Sequence, residues 1–139
     1  MENKETYIKL FKQVDKLKNS EDPKRKYEYI LWLGKNLNAP DNDILISENK
    51  VQGCVSEVFV KASFHDGKLY WEGYSDALIS KGLLAFLING LSELTPKDVV
   101  NINNKFIEDT GLKASLTPSR SNGFLNILLK MQSQANDFL

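Results

Sequence analysis

The chain has 139 residues, 42% of them hydrophobic, and its eighteen basic side chains are balanced by eighteen acidic ones. That length supports one core rather than two, and the zero formal charge removes the global field that would draw the protein to nucleic acid or an anionic membrane. A single cysteine, Cys54, and a single histidine, His65, cannot assemble a thiolate/imidazole zinc site, hold an iron–sulfur cluster or close an internal disulfide.

The first residues, Met1-Glu2-Asn3-Lys4-Glu5-Thr6, have neither an apolar signal core nor an Arg/Ser-rich transit character, and no apolar run reaches the length of a membrane span. A cytoplasmic protein is expected, which also suits a lone unpaired thiol. Tyr7, Leu10, Phe11, Val14 and Leu17 recur at helical spacing and predict an amphipathic helix over about residues 4–18. Ser20-Glu21-Asp22-Pro23 breaks the chain and starts a second helix, with Asp22 as N-cap and Pro23 at the first helical position. Tyr27, Ile30, Leu31 and Leu37 are expected on its buried side. Turn-forming residues between Asn38 and Lys50 predict a surface loop.

From Val55 the period changes to two. Val58, Val60, Ala62 and Phe64 share one face, Leu69 and Trp71 answer them beyond Asp66-Gly67, and residues 55–74 are predicted to form an antiparallel hairpin. Ser75 or Asp76 is expected to cap the following helix, whose apolar face is Ala77, Leu83, Leu84, Leu87, Ile88 and Leu91. Gly82 within it either permits close packing or simply lowers stability. Thr95-Pro96 and Thr117-Pro118 each place a capping hydroxyl before a proline and predict helix starts. Between them a short helix over 103–110 should stop at Gly111, and the last helix carries Phe124, Ile127, Leu128 and Met131 as its core stripe. With no repeat or long linker, residues 1–139 are expected to form a single domain.

Cys54 follows Gly53 where the polar loop gives way to the strand. A glycine there adds no bulk, so another molecule can approach the backbone closely while the sulfur is presented to it. The competing explanation, a small buried hydrophobe, is the commoner fate of a lone cysteine. His65 lies in the turn His65-Asp66-Gly67-Lys68 and is a poor general base for a cysteine-protease-like pair, and no glycine motif for phosphates or nucleotides is present. What survives is a thiol acting with help from its surroundings or from a partner.

Three segments taken together resemble the SufE family of sulfur acceptors: Asn49-Lys50-Val51-Gln52-Gly53-Cys54, Glu72-Gly73-Tyr74-Ser75-Asp76-Ala77 and Leu116-Thr117-Pro118-Ser119-Arg120-Ser121-Asn122-Gly123. Their order and separations agree, and the likeness is strongest over about 27–131. The family often has aspartate where Tyr74 stands and tryptophan where Phe59 stands, so no role passes to Tyr74. The resemblance implies an α/β (α+β) fold, a SufE/IscU-like sandwich with a small antiparallel sheet and helices packed on one side.

It also implies a function. The chain is expected to be a sulfur acceptor and activator for a pyridoxal-phosphate-dependent cysteine desulfurase of the SufS type, not an autonomous enzyme. Cys54 would accept persulfide sulfur by transpersulfuration and pass it toward iron–sulfur cluster assembly, with a downstream scaffold as recipient. The pyridoxal phosphate belongs to the partner, and this chain is expected to bind no cofactor and no metal. IscU-type scaffolds bring three cysteines, whereas this chain offers one, so it should carry sulfur rather than a cluster. Arg120 is expected near Cys54, where a guanidinium and the amides of a helix start favour an anion. Gly53, Gln52 and Lys50 are expected to support the loop or dock the partner, although Lys50 and Gln52 are as well explained as solvated side chains. Asp76 reads as a structural acid at a helix start, and Ser119 and Ser121 as capping hydroxyls. The alternative is a non-catalytic interaction adaptor in which Cys54 is inert; either protein is compatible with a homodimer.

Overall fold

The computed structural model describes residues 4–139. Helix α1 (Ile8–Lys18) buries the expected stripe of Leu10, Phe11, Val14 and Leu17 against the core, and Tyr7 is buried just before it. Lys4–Tyr7 form turns instead of helix. Helix α2 (Pro23–Lys35) begins as predicted, with the Asp22 carboxylate accepting from the Lys24 N–H at 2.9 Å.

The buried face of α2 differs from the expected one. Lys26, Ile30, Leu33 and Gly34 point inward, Tyr27 is exposed, and Leu31 and Leu37 are only partly covered. The cause is the crossing with α3 (Leu78–Leu91), where a Cβ on Gly82 would run into the Ile30 carbonyl oxygen and one on Gly34 would lie 2.8 Å from the Gly82 nitrogen. Backbone meets backbone there, so Gly82 serves close packing and fixes which side of α2 faces in. Lys26 is drawn inside by the same rotation, and its ammonium donates to the Thr110 carbonyl at 2.9 Å. Helix α3 is buried nearly all round rather than along one face.

Strands β1 (Val58–His65) and β2 (Lys68–Ser75) form a two-stranded antiparallel sheet in which Val60 faces Gly73 and Ala62 faces Trp71. The turn takes positive φ at Asp66 (51°) and Gly67 (79°), as a tight hairpin requires. Strand β1 starts three residues later than predicted because residues 52–57 form a loop. Its ends are held together by the Val51 N–H donating to the Val58 carbonyl at 2.8 Å and by a bridge between Lys50 and Phe59. Phe64 departs from the alternation: the hairpin tip runs past the core, and its half-exposed ring stacks on Phe138 with centroids 5.4 Å apart.

Both sheet edges have partners. On β1 the Gln134 side chain accepts from the Ala62 N–H at 2.8 Å and donates to the Val60 carbonyl at 2.7 Å. On β2 the Leu69 N–H donates to Leu94 and the Leu69 carbonyl accepts from Glu93. The Ser75/Asp76 cap does not form; Ala77 precedes α3 without a side-chain cap. Ser75 instead accepts from the Ala77 N–H at 3.3 Å, and Asp76 exchanges two bonds with Glu57, tying the end of β2 to the lead-in of β1.

Helix α4 (Pro96–Asn101) and helix α6 (Pro118–Asn136) carry the predicted threonine caps and first-position prolines, and α5 (Phe106–Asp109) is one turn, shorter than predicted, followed by Gly111 at φ 70°. Residues of α1 to α6 and both strands join in one apolar cluster, with α3 packed on β2 and α6 on β1. The architecture is the expected α+β arrangement: a small antiparallel sheet with helices against it.

Candidate functional site

The site is assembled where the loop 52–57 lies against the start of α6. Thr117 accepts from the Arg120 N–H at 3.3 Å, and this cap with Pro118 fixes the first turn of α6. From that turn Arg120 reaches inward. Its Nη1 donates to the Ser56 hydroxyl at 2.6 Å and to the hydroxyl of Ser80, a buried residue of α3. One guanidinium therefore joins α6, α3 and the residue two positions after Cys54.

Cys54 is partly buried, and its Sγ donates to the Gly123 carbonyl at 3.7 Å, long enough to orient the thiol without holding it strongly. A Cβ on Gly123 would lie 3.5 Å from Sγ, in ordinary contact, which places the sulfur directly against this turn of the helix. One residue back, Gly53 adopts φ +77°, and its carbonyl accepts from the Asn126 side-chain amide at 2.9 Å. Arg120, Gly123 and Asn126 recur every three residues, so the loop rests on a single stripe of α6.

Beside Sγ is a void of about 10 Å³, bounded by Ser80, Leu83, Ser119, Arg120, Gly123 and Ile127. That is room for about one small atom or water, far below the roughly 300–1,000 Å³ of pockets that enclose small-molecule substrates. Two influences act on the thiol in opposite directions. Burial pushes its pKa up, the neighbouring Arg120 charge pulls it down, and burial prevails. Arg120 thus favours the thiolate without overcoming the loss of solvent.

Of the residues singled out in the sequence, Cys54, Gly53 and Arg120 come together. Lys50 stands at the base of the loop, paired through its backbone with Phe59, and Gln52 is exposed on the loop. Asp76 ties β2 to Glu57. His65 is exposed at the far end of β1, whose eight residues span roughly 25 Å at about 3.3 Å each, so it offers no base to Cys54. Ser56, Ser80 and Asn126 were missed; a serine within an apolar helix and an asparagine three residues beyond Gly123 were the available signals. Among the described residues, no three His, Cys, Asp or Glu side chains gather as a metal site, and no helix is long and apolar enough to cross a membrane.

Comparison with known proteins gives a consistent picture. The family model for SufE, described as an Fe-S metabolism associated domain, matches residues 12–135. A Synechocystis protein described as an uncharacterized SufE-like protein is 50% identical over 129 residues, covering 93% of this chain and 81% of the relative. A Plasmodium falciparum protein named cysteine desulfuration protein SufE is 34% identical over 115 residues, which are 79% of this chain but 46% of that longer protein. The solution structure of a hypothetical protein from Thermus thermophilus superposes with a TM-score of 0.79 at 24% identity, covering 93% of this chain and 94% of the other, a likeness of fold.

Proposed function

Because the chain belongs to the SufE family, we propose that it accepts sulfur from a cysteine desulfurase and hands it on within iron–sulfur metabolism, with Cys54 as the carrier. The observation that supports this most is the thiol itself: partly buried, beside a void of about one atom, on a loop held at both sides by ties to α6. A small-molecule enzyme would need a pocket the site lacks, whereas a carrier needs space for one added sulfur. The relative named for cysteine desulfuration supports cysteine as the source of the sulfur.

In the proposed transfer Cys54 loses its proton, and the thiolate attacks the terminal sulfur of a persulfide on the desulfurase. A new S–S bond forms on Cys54 as the donor S–S bond breaks, and its electron pair leaves on the donor sulfur, which regains a proton. A persulfide and a thiol exchange identities with no net oxidation. The desulfurase uses pyridoxal phosphate to generate the first persulfide from cysteine; this chain supplies the acceptor. Because the free thiol is held above its ordinary pKa, docking should activate it by bringing it out of its half-buried seat. Gln52 and the exposed Val55 lie on the loop that a partner would meet first, with Lys50 at its base. Arg120 organises the loop rather than acting as a base, since a guanidinium cannot take up the proton.

The test is intact-mass analysis after incubation with a SufS-type desulfurase, cysteine and pyridoxal phosphate. A reducible gain of about 32 Da, the mass of one sulfur atom, on wild type, lost in Cys54→Ser with folding and desulfurase binding retained, is the expected result. An active desulfurase that leaves Cys54 unmodified, with its turnover nonetheless unchanged by Cys54→Ser, would favour the adaptor in which Cys54 is inert.

A further inference from the structure

The inward seat of Cys54 is held chiefly by its neighbours. Its own bond to Gly123 is 3.7 Å long, Val55 is 68% exposed, and the flanks are tied by Asn126 to Gly53 and by Arg120 to Ser56. The two ties are unequal. Arg120 is charged and also engages the buried Ser80, whereas Asn126 makes one neutral bond near the surface. Gly53 is where movement is easiest, because glycine alone turns freely through the positive φ found there. It also lies flat against the amide: a Cβ there would collide with Asn126 Nδ2.

We propose that Asn126 is a positioning residue, a latch that keeps the Gly53-Cys54 segment seated on α6 and so sets how often Cys54 is open to solvent. When the bond from Asn126 breaks, the Gly53 peptide can rotate and carry Sγ outward, while Arg120 keeps the Ser56 side as the pivot. Resting on the carrier reading, the same latch slows loss of a bound sulfane sulfur to bulk thiols between donor and recipient.

Alkylation of free Cys54 by iodoacetamide, followed by intact mass from about pH 7 to about 10.5, a window that extends well above ordinary thiol ionisation, measures the latch without any desulfurase. Asn126→Leu removes the donor at similar size, Asn126→Asp keeps the shape with a carboxylate, and Val99→Ala, a truncation in α4, lowers stability away from the loop. Loss of one neutral bond of about 0.5–1.5 kcal/mol predicts about two- to twelvefold faster alkylation of both Asn126 variants. The Asn126→Asp profile should lie at higher pH than that of Asn126→Leu, because a nearby carboxylate disfavours the thiolate; simple loosening would not separate them. With desulfurase, kcat for sulfur acceptance should not fall, and the loaded variants should lose sulfur to dithiothreitol faster by the same factor. Wild-type alkylation rates in both variants, equal acceleration in Val99→Ala, or a reduced kcat would overturn the assignment. If Asn126→Leu does not fold, Asn126→Asp decides alone. Failure of wild-type Cys54 to take up sulfur, with the alkylation result intact, would instead remove the carrier reading and leave the latch.

Discussion

Arg120 is the residue through which the Cys54 loop is joined to both α6 and α3. The resemblance to the family implied that Ser119-Arg120-Ser121-Asn122 lies near Cys54, and Arg120 borders the same small void as Cys54. Its partners, Ser56 and Ser80, depend on the packing of α3 under the loop, and a lone serine among the apolar residues of α3 gives no sign of its purpose. Because Nη1 sits between two hydroxyls, a lysine with a shorter reach and a tetrahedral fan of donors should not hold the same position. Arg120→Lys is expected to slow Cys54 persulfide formation severalfold, and Arg120→Ala at least as much, at equal folded fraction in single-turnover assays. Unchanged rates for both would confine the functional site to Cys54 and its loop. The pH dependence separates charge from shape. Free Cys54 should alkylate with a midpoint above the ordinary thiol value, and Arg120→Met, which removes the lowering charge but fills the space, should move that midpoint higher still. A midpoint that falls in Arg120→Met would contradict the electrostatic account.

Among the elements, features written locally were the ones that could be read. Asp22, Thr95 and Thr117 each cap the helix they were expected to cap, because a cap needs only the next two or three residues. The buried face of α2 could not be read in the same way, since it is set by the meeting of Gly34 and Gly82 across two helices. That crossing also decides the sign of a simple substitution. In an isolated helix Gly82→Ala would gain about 1 kcal/mol of propensity, but here the methyl group meets the Ile30 carbonyl, and no side chain can turn aside to make room. Overpacking of about 1–3 kcal/mol or more should prevail. Chemical denaturation is expected to show a lower midpoint with an unchanged slope; a raised midpoint would mean that the helices can separate at little cost.

At the scale of the whole molecule, eighteen charges of each sign leave no net charge with which to steer a partner from a distance. Association with a desulfurase should therefore have a rate constant that changes only modestly between low and physiological salt, in stopped-flow or surface measurements. A steep dependence would reveal a local patch that the overall balance conceals. The sheet has a different kind of neutrality. The Gln134 carboxamide offers an oxygen to Ala62 and an N–H to Val60, the same two groups that one residue of a third strand would offer. A helix residue thus impersonates a strand, and the row of β1 groups it covers is one that an incoming chain would otherwise extend into an intermolecular ribbon. Gln134→Leu is expected to stay folded at low concentration but to form aggregates with growing light scattering as concentration rises. Solubility in this fold is guarded, on this edge, by one amide that mimics backbone.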